Sequence, residues 1–268
     1  MVSEKRVKHE IPGRRVKTGV PGLDELVAGG FPSESVVLVS GTAGTGKTIM
    51  ALQFLINGAK RGERGVYFTF EEREDKIRDQ CRQFGWPIDK LEKQNKLLIK
   101  SIHQKTIGTV FGEIKGTLDA FKPTRMALDS ITTFSLYAHT VKKVTDVEAV
   151  GDEEAIYGTN AEICGVVPPE WGGVIVRHML VTLVQMLQLH RITALVTSEM
   201  CENSNWYSRD TLSEFACDGL IVLKSVALGE ELHRTIEVRK MRNTPIKGGV
   251  YELDFYPKGV RVSGSGKK

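Results

Sequence analysis

Up to Cys217, short runs of consecutive apolar residues alternate with longer stretches of helical periodicity. SVVLVS at 35–40, GVYFTF at 65–70, KLLIK at 96–100, RMALD at 125–129 and ITALVTS at 192–198 place apolar residues side by side over too few positions for a helix. Each therefore reads as a strand covered on both faces. Between the last two, the 174–190 segment sets Leu180, Leu183, Val184 and Leu187 at i, i+3, i+4 and i+7, which is one apolar stripe of a helix. Strands alternating with helices predict a mainly parallel sheet with right-handed crossovers, an α/β fold. After Cys217 the rhythm changes. GLIVLKSV, RTIEVRKM, VYELDFY and GVRVS follow closely with turn residues between them, predicting hairpin-joined strands and an antiparallel extension on one edge of the sheet.

Composition narrows the class without naming a partner. A chain of 268 residues, 41% hydrophobic and 26% charged, has the profile of a soluble globular protein with a full core. Lysine and arginine number 37 against 33 aspartates and glutamates, an excess too small to announce a nucleic-acid protein, although it leaves room for a local basic patch. The four cysteines, Cys81, Cys164, Cys201 and Cys217, stand far apart with no Cys-x-x-Cys pair, which argues against a zinc site or disulfide framework and for a reducing, cytoplasmic setting. The charged amino-terminal segment has no apolar core, and no window approaches the ~18 apolar residues of a membrane helix. Residues 1–17 read as a basic arm, 18–262 as a single domain with an insertion at about 139–172, and 263–268 as a frayed tail.

The chemistry concentrates in GTAGTGKT at 41–48, which follows a buried strand and precedes the helix-like IMALQFLINGAK. That context makes the G-x-x-x-x-G-K-T pattern a phosphate-binding loop. Glycines at 41, 44 and 46 let the backbone curl its N–H groups around phosphate oxygens at the positive end of the next helix. The run Gly41, Thr42, Ala43, Gly44, Thr45, Gly46, Lys47, Thr48 and Ile49 is the candidate nucleotide cradle. Within it Lys47 neutralises β/γ-phosphate charge and the Thr48 hydroxyl serves Mg²⁺. A carboxylate on a neighbouring strand is expected as the metal's second anchor, and Asp129, closing RMALD, is placed for it. Hydrolysis also needs a carboxylate beside the γ-phosphate to activate water. GVYFTFEE offers Glu71 as that base with Glu72 in support, although both glutamates also suit the start of the charged helix EEREDKIRDQ.

With these residues in hand, the chain resembles the KaiC-like branch of the RecA/RadA ATPases. TGVPGLDELVAGGFP (18–32), the phosphate loop, TFEE (69–72), FGW (84–86), ALDS (127–130), TSE (197–199), EFACDGLIVL (214–223) and IEVRKMRNTP (236–245) fall in the family's order. The resemblance implies a RecA-like P-loop core that binds and hydrolyses ATP with Mg²⁺. It further implies a ring, usually a hexamer, with nucleotide between subunits. In such a ring Lys240 and Arg242 would reach the neighbour's site, with Met241 and Thr244 near the nucleotide. A regulatory or scaffold ATPase acting on an unidentified protein partner is the expected role.

Three departures from the family pattern matter. Ile246 stands where the family often has a histidine. Ser213–Glu214 replaces the serine–threonine pair of the autophosphorylating clock domain, which makes an autokinase the less expected branch. The stretch 139–172 is unusually long, and loops of that size usually carry function or disorder. The alternative role is a RadA-paralogue-like ATPase binding single-stranded DNA, for which Trp206, Tyr207 and Arg209 offer stacking and phosphate contacts. Against it, the acidic residues of DVEAVGDEEA would repel phosphate.

Overall fold

A computed structural model describes residues 13–103, 106–137, 172–201, 206–228 and 231–264. Most of the expected arm, the insertion up to Trp171, Cys164 and the last four residues of the tail lie outside the described residues. The strands are β1 (Arg15–Val16), β2 (Phe31–Pro32), β3 (Val36–Gly41), β4 (Gly65–Thr69), β5 (Leu97–Ser101), β6 (Arg125–Asp129), β7 (Thr193–Glu199), β8 (Gly219–Leu228), β9 (Glu231–Met241), β10 (Val250–Tyr256) and β11 (Gly259–Ser263). The helices are α1 (Leu23–Leu26), α2 (Lys47–Lys60), α3 (Glu74–Gln83), α4 (Ile88–Lys93), α5 (Ile107–Phe121), α6 (Ile131–Leu136), α7 (Gly172–Leu189) and α8 (Ser213–Ala216).

β1 and β2 form a small separate ribbon, and the other nine strands make one sheet in the order β11-β10-β9-β8-β3-β7-β6-β4-β5. From β8 to β5 every pairing is parallel, and β9, β10 and β11 add antiparallel strands at one side. This is the mixed sheet that the apolar runs and hairpins predict. The unbroken runs exist because each parallel strand feeds two cores with alternate residues. Val37, Val39, Tyr67, Ala127, Leu195 and Ile221 pack with Phe54 and Leu55 of α2 on one face. Val36, Leu38, Phe68, Met126, Leu128 and Val196 pack with Val110 and Ile114 of α5 and with Leu180 and Leu183 of α7 on the other. Each such side chain, fully buried, contributes roughly 1.5–3 kcal/mol, and the centre of β3 carries four in succession.

Register fixes what meets at the strand ends. Gly41 of β3 lies opposite Glu199 of β7 and Leu223 of β8, and Thr69 of β4 opposite Asp129 of β6. The phosphate loop, Asp129 and the residues following Thr69 therefore share the carboxyl edge of the sheet, where α/β proteins bind ligands. At the opposite edge, Val37 lies beside Gly219, and Gly219 beside Met241. The register between β8 and β9 shifts between Leu220 and Ile221, whose partners are Lys240 and Val238. Arg239 is the extra residue, and its insertion turns over the alternation. Ile236 and Val238 face the α2 core, and beyond the shift Met241 does so in place of Lys240. Pairing of β10 with β9 ends at Glu237, leaving Val238–Met241 with β8 on one side only.

Candidate active site

The phosphate loop leaves β3 at Gly41 and enters α2 at Lys47. Gly46 has φ 101°, a conformation that costs other residues energy. At Gly41 a Cβ would stand 2.6 Å from the Leu223 carbonyl oxygen, so the neighbouring strand itself requires glycine. Lys47 Nζ donates to the carbonyls of Gly41 and Thr42, both at 2.9 Å. Burial lowers the lysine's pKa, while Asp129, Glu199 and Glu71 act in the opposite sense. The ammonium thus lies in the field of three carboxylates while its hydrogen bonds go to the two loop carbonyls.

Asp129 is a hub of hydroxyl donors. Thr48 Oγ1 donates to its Oδ2 at 2.7 Å and the Tyr67 hydroxyl to the same oxygen at 2.5 Å. Thr197 donates to Oδ1. Tyr67 is fully buried, and burial together with the Asp129 charge holds its phenol well above the ordinary range, keeping it a donor. Among the described residues no group of three or more His, Cys, Asp or Glu could hold a metal. One carboxylate and one threonine hydroxyl, both hard oxygen ligands, fit an ion that takes the rest of its shell from phosphate and water, as Mg²⁺ does.

Glu71 and Glu72 part company. Thr69 Oγ1 accepts from both their backbone N–H groups and donates to the Glu72 carbonyl, a hydroxyl-stabilised turn. α3 starts only at Glu74, so neither glutamate belongs to the helix. Glu71 Oε1 accepts from Ser130 Oγ at 2.6 Å and Thr133 Oγ1 at 2.8 Å. Ser130 is also the N-cap of α6, so the residue after the Asp129 anchor orients Glu71. Glu72 instead accepts from Gln80 Nε2 on α3 at 3.0 Å.

Beyond the hydroxyl donors Tyr67, Ser130, Thr133 and Thr197, two further site residues escaped the sequence reading. Arg234 of β9 donates from Nε to the Gly44 carbonyl at 3.0 Å, with its guanidinium 4.8 Å from the centre of the Phe255 ring. That ring lies against Gly46. The signal was the alternation Arg234, Ile236, Val238, which puts Arg234 on the α2 face of the sheet. Glu199 closes β7 beside Gly41 and pairs with Arg209 at 3.1 Å; an acidic residue ending a buried strand was its signal.

Lys240, Met241, Arg242 and Thr244 are not brought to this chain's own phosphate loop. They lie at the other edge of the sheet, separated from it by the strand length from Val37 to Gly41, about 13 Å. Lys240 Nζ donates to the carbonyls of Glu214, Phe215 and Cys217 at 3.0, 3.4 and 2.7 Å. Burial and the Arg242 charge lower its pKa. Arg242 pairs with Asp218 at 3.1 Å, and Thr244 Oγ1 accepts from Arg15 at 2.7 Å. The Met241 side chain is buried against Gly219, which leaves its backbone alone for a ligand. Ile246 packs against the α2 core. Ser213 is buried and donates to Asp210 at 2.7 Å, while buried Glu214 accepts from Ser208 and from the Tyr207 N–H.

Residues 16–147 and 172–267 match the family model described as the KaiC ATPase. The chain belongs to the KaiC family of ATPases. The match passes over residues 148–171, inside the long stretch that departs from the family pattern. Among curated KaiC proteins, the circadian clock protein KaiC3 of Synechocystis is 29% identical over 255 residues, covering 91% of this chain and 44% of its own. The circadian clock oscillator protein KaiC of Synechococcus elongatus is 30% identical over 249 residues, covering 92% and 44%. The chain thus spans less than half the length of these KaiC relatives. In three dimensions it is similar to the crystal structure of a KaiC-like protein from the hyperthermophilic archaeon Pyrococcus horikoshii. The TM-score is 0.74 at 31% identity, covering 94% of this chain and 99% of that one.

Proposed function

We propose that this KaiC-family chain binds and hydrolyses ATP with Mg²⁺ and acts as a regulatory or scaffold ATPase, assembled as a ring with nucleotide at the subunit boundaries. The observation that carries the reading is the pair of adjacent residues ending β6: Asp129 bound to the Thr48 hydroxyl, and Ser130 holding Glu71. Thr48 and Asp129 would hold Mg²⁺, which when bound neutralises developing charge on the β- and γ-phosphates. Lys47 exchanges its two loop carbonyls for phosphate oxygens. Glu71, with Oε1 occupied by Ser130 and Thr133, presents Oε2 to the attacking water and takes its proton. Glu72, turned toward Gln80, supports the fold of that turn.

The placement of Lys240 and Arg242 favours a role in trans. They stand a strand length from their own phosphate loop, so any nucleotide they touch belongs to a neighbour. The Arg242–Asp218 pair is half exposed on the arginine side, and such surface pairs are worth about 0–1 kcal/mol. Turning the guanidinium outward therefore costs little against a charge-assisted bond to phosphate.

Single-stranded DNA binding is less well supported. Arg209 is already paired with Glu199, and the Tyr207 ring lies 5.3 Å beneath Arg239. The deciding experiment is ATP turnover with and without single-stranded DNA over a salt series. Turnover indifferent to DNA at every salt concentration is expected. DNA stimulation that falls steeply with salt, the mark of counterion release, would replace the regulatory reading with the DNA one.

A further inference from the structure

We propose that the basic cavity at the amino edge of the sheet is a second anion site, built for a compact polyphosphate with two or more linked phosphates. The cavity, about 580 Å³, opens where β3, β4, β6 and β7 begin, at the end of the sheet away from the phosphate loop. Arg14, Arg61, Lys122 and Arg191 line it with no carboxylate partner among the described residues, and Arg64, also in the wall, donates to the Asn95 carbonyl and lies over the Phe121 ring. Of the two glutamates in the wall, Glu63 is neutralised by the buried guanidinium of Arg125, which binds it through two nitrogens. Glu34 remains as the single opposing charge among the described residues.

Two features frame the cavity. Arg15, also in the wall, is engaged away from it, giving two of its nitrogens to Thr244 and the Asn243 carbonyl. Lys122 and Arg191 follow α5 and α7 at φ 49° and 54°, in the left-handed region where a helix normally ends on glycine or asparagine. Cations at these helix ends also offset the negative C-termini of α2, α5 and α7, each equivalent to about half a charge. Four cations without a carboxylate partner exceed what three such termini, at about half a charge each, and one glutamate require. The shape selects the ligand. The volume suits a bound molecule of small-ligand size, which is about 300–1,000 Å³. Among the described residues no aromatic side chain lines the wall on which the bases of a nucleic-acid strand could stack.

The test uses tripolyphosphate as probe and the full chain carrying Lys47→Ala, so that the phosphate loop does not compete. Calorimetry is expected to show one bound anion per chain. Affinity should fall about tenfold or more when Arg61→Glu and Arg191→Glu are added, because two charge-assisted contacts are lost. As a variant-free measurement, hydrogen exchange on the unmutated chain should show tripolyphosphate protecting 61–64 and 190–193 in addition to 41–48. The proposal is overturned if Lys47→Ala binds no tripolyphosphate, if the charge reversals leave affinity unchanged, or if protection is confined to 41–48. It is equally overturned if a short single-stranded oligonucleotide binds this face and tripolyphosphate does not. A drop in melting temperature as the only effect of the reversals would assign these cations to helix ends and also end the proposal.

Discussion

Thr48 Oγ1 and Asp129 Oδ2 lie 2.7 Å apart across 81 positions of sequence, so the first turn of α2 is tied to the end of β6. The same oxygen takes the Tyr67 hydroxyl from β4. Three elements thus converge on one carboxylate, and the chemistry placed there depends on the parallel register that brings them level. Tyr67→Phe separates support from catalysis. It deletes a buried bond to a charged group, worth about 1.5–3 kcal/mol, and is expected to lower the melting temperature while Mg²⁺-dependent ATP turnover survives. Asp129→Asn is expected to do the reverse, losing turnover by about a hundredfold with a smaller change in melting. Calorimetric melting and steady-state turnover on the two variants check this. Equal turnover by Asp129→Asn and the unmutated chain would remove Asp129 from the metal site.

The proposed sharing of active sites between subunits makes a prediction about mixtures. Glu71→Gln and Arg242→Ala rings should each be inactive alone. Mixed rings should regain activity wherever an intact Glu71 meets an intact Arg242 from its neighbour. Turnover measured across mixing ratios, with light scattering to confirm assembly, reads this directly. Mixtures that stay inactive, or a fully active monomer, contradict the arrangement.

Alkaline pH should destabilise the chain. Burial pushes the Cys81 and Cys217 thiols up to about 12 from an ordinary value of 9.0, and Tyr67 is raised as well. The folded state therefore holds protons that the unfolded chain releases between about pH 9 and 12, so stability falls as pH rises through that window. The melting temperature should decline above pH 9. At pH 8, alkylation mapped by mass spectrometry should modify exposed Cys201 and leave Cys81 and Cys217 intact. Rapid labelling of Cys217 in the folded chain would contradict its burial.

Much of this architecture was legible in the chain because parallel strands buried on both faces leave unbroken apolar runs, as in Val36–Val39. The phosphate loop was legible because its glycines and lysine are consecutive. Asp129 was reachable from its place at a strand end. The divergence of Glu71 from Glu72 was not, since it depends on the Thr69 turn and on Ser130 arriving from β6. Arg234 stayed hidden for a similar reason: it meets Gly44 only once the β8–β9 hairpin has folded beside β3. The turned-over alternation beyond Arg239 left only one mark, a three-residue step from Val238 to Met241 after the two-residue step from Ile236 to Val238, too little by itself to place the shift. The long stretch 139–172 falls almost wholly outside the described residues.

Glu71, held by Ser130 and Thr133, is the proposed base of an ATP-hydrolysing site. Single-turnover ATP hydrolysis, with nucleotide binding measured on the same samples, tests it most directly. Glu71→Gln should bind ATP as tightly as the unmutated chain and lose hydrolysis by about a hundredfold or more. Glu72→Gln should hydrolyse at a rate close to that of the unmutated chain, and Lys47→Ala should fail to bind. Hydrolysis by Glu71→Gln at the unmutated rate, with ATP bound, would contradict the account.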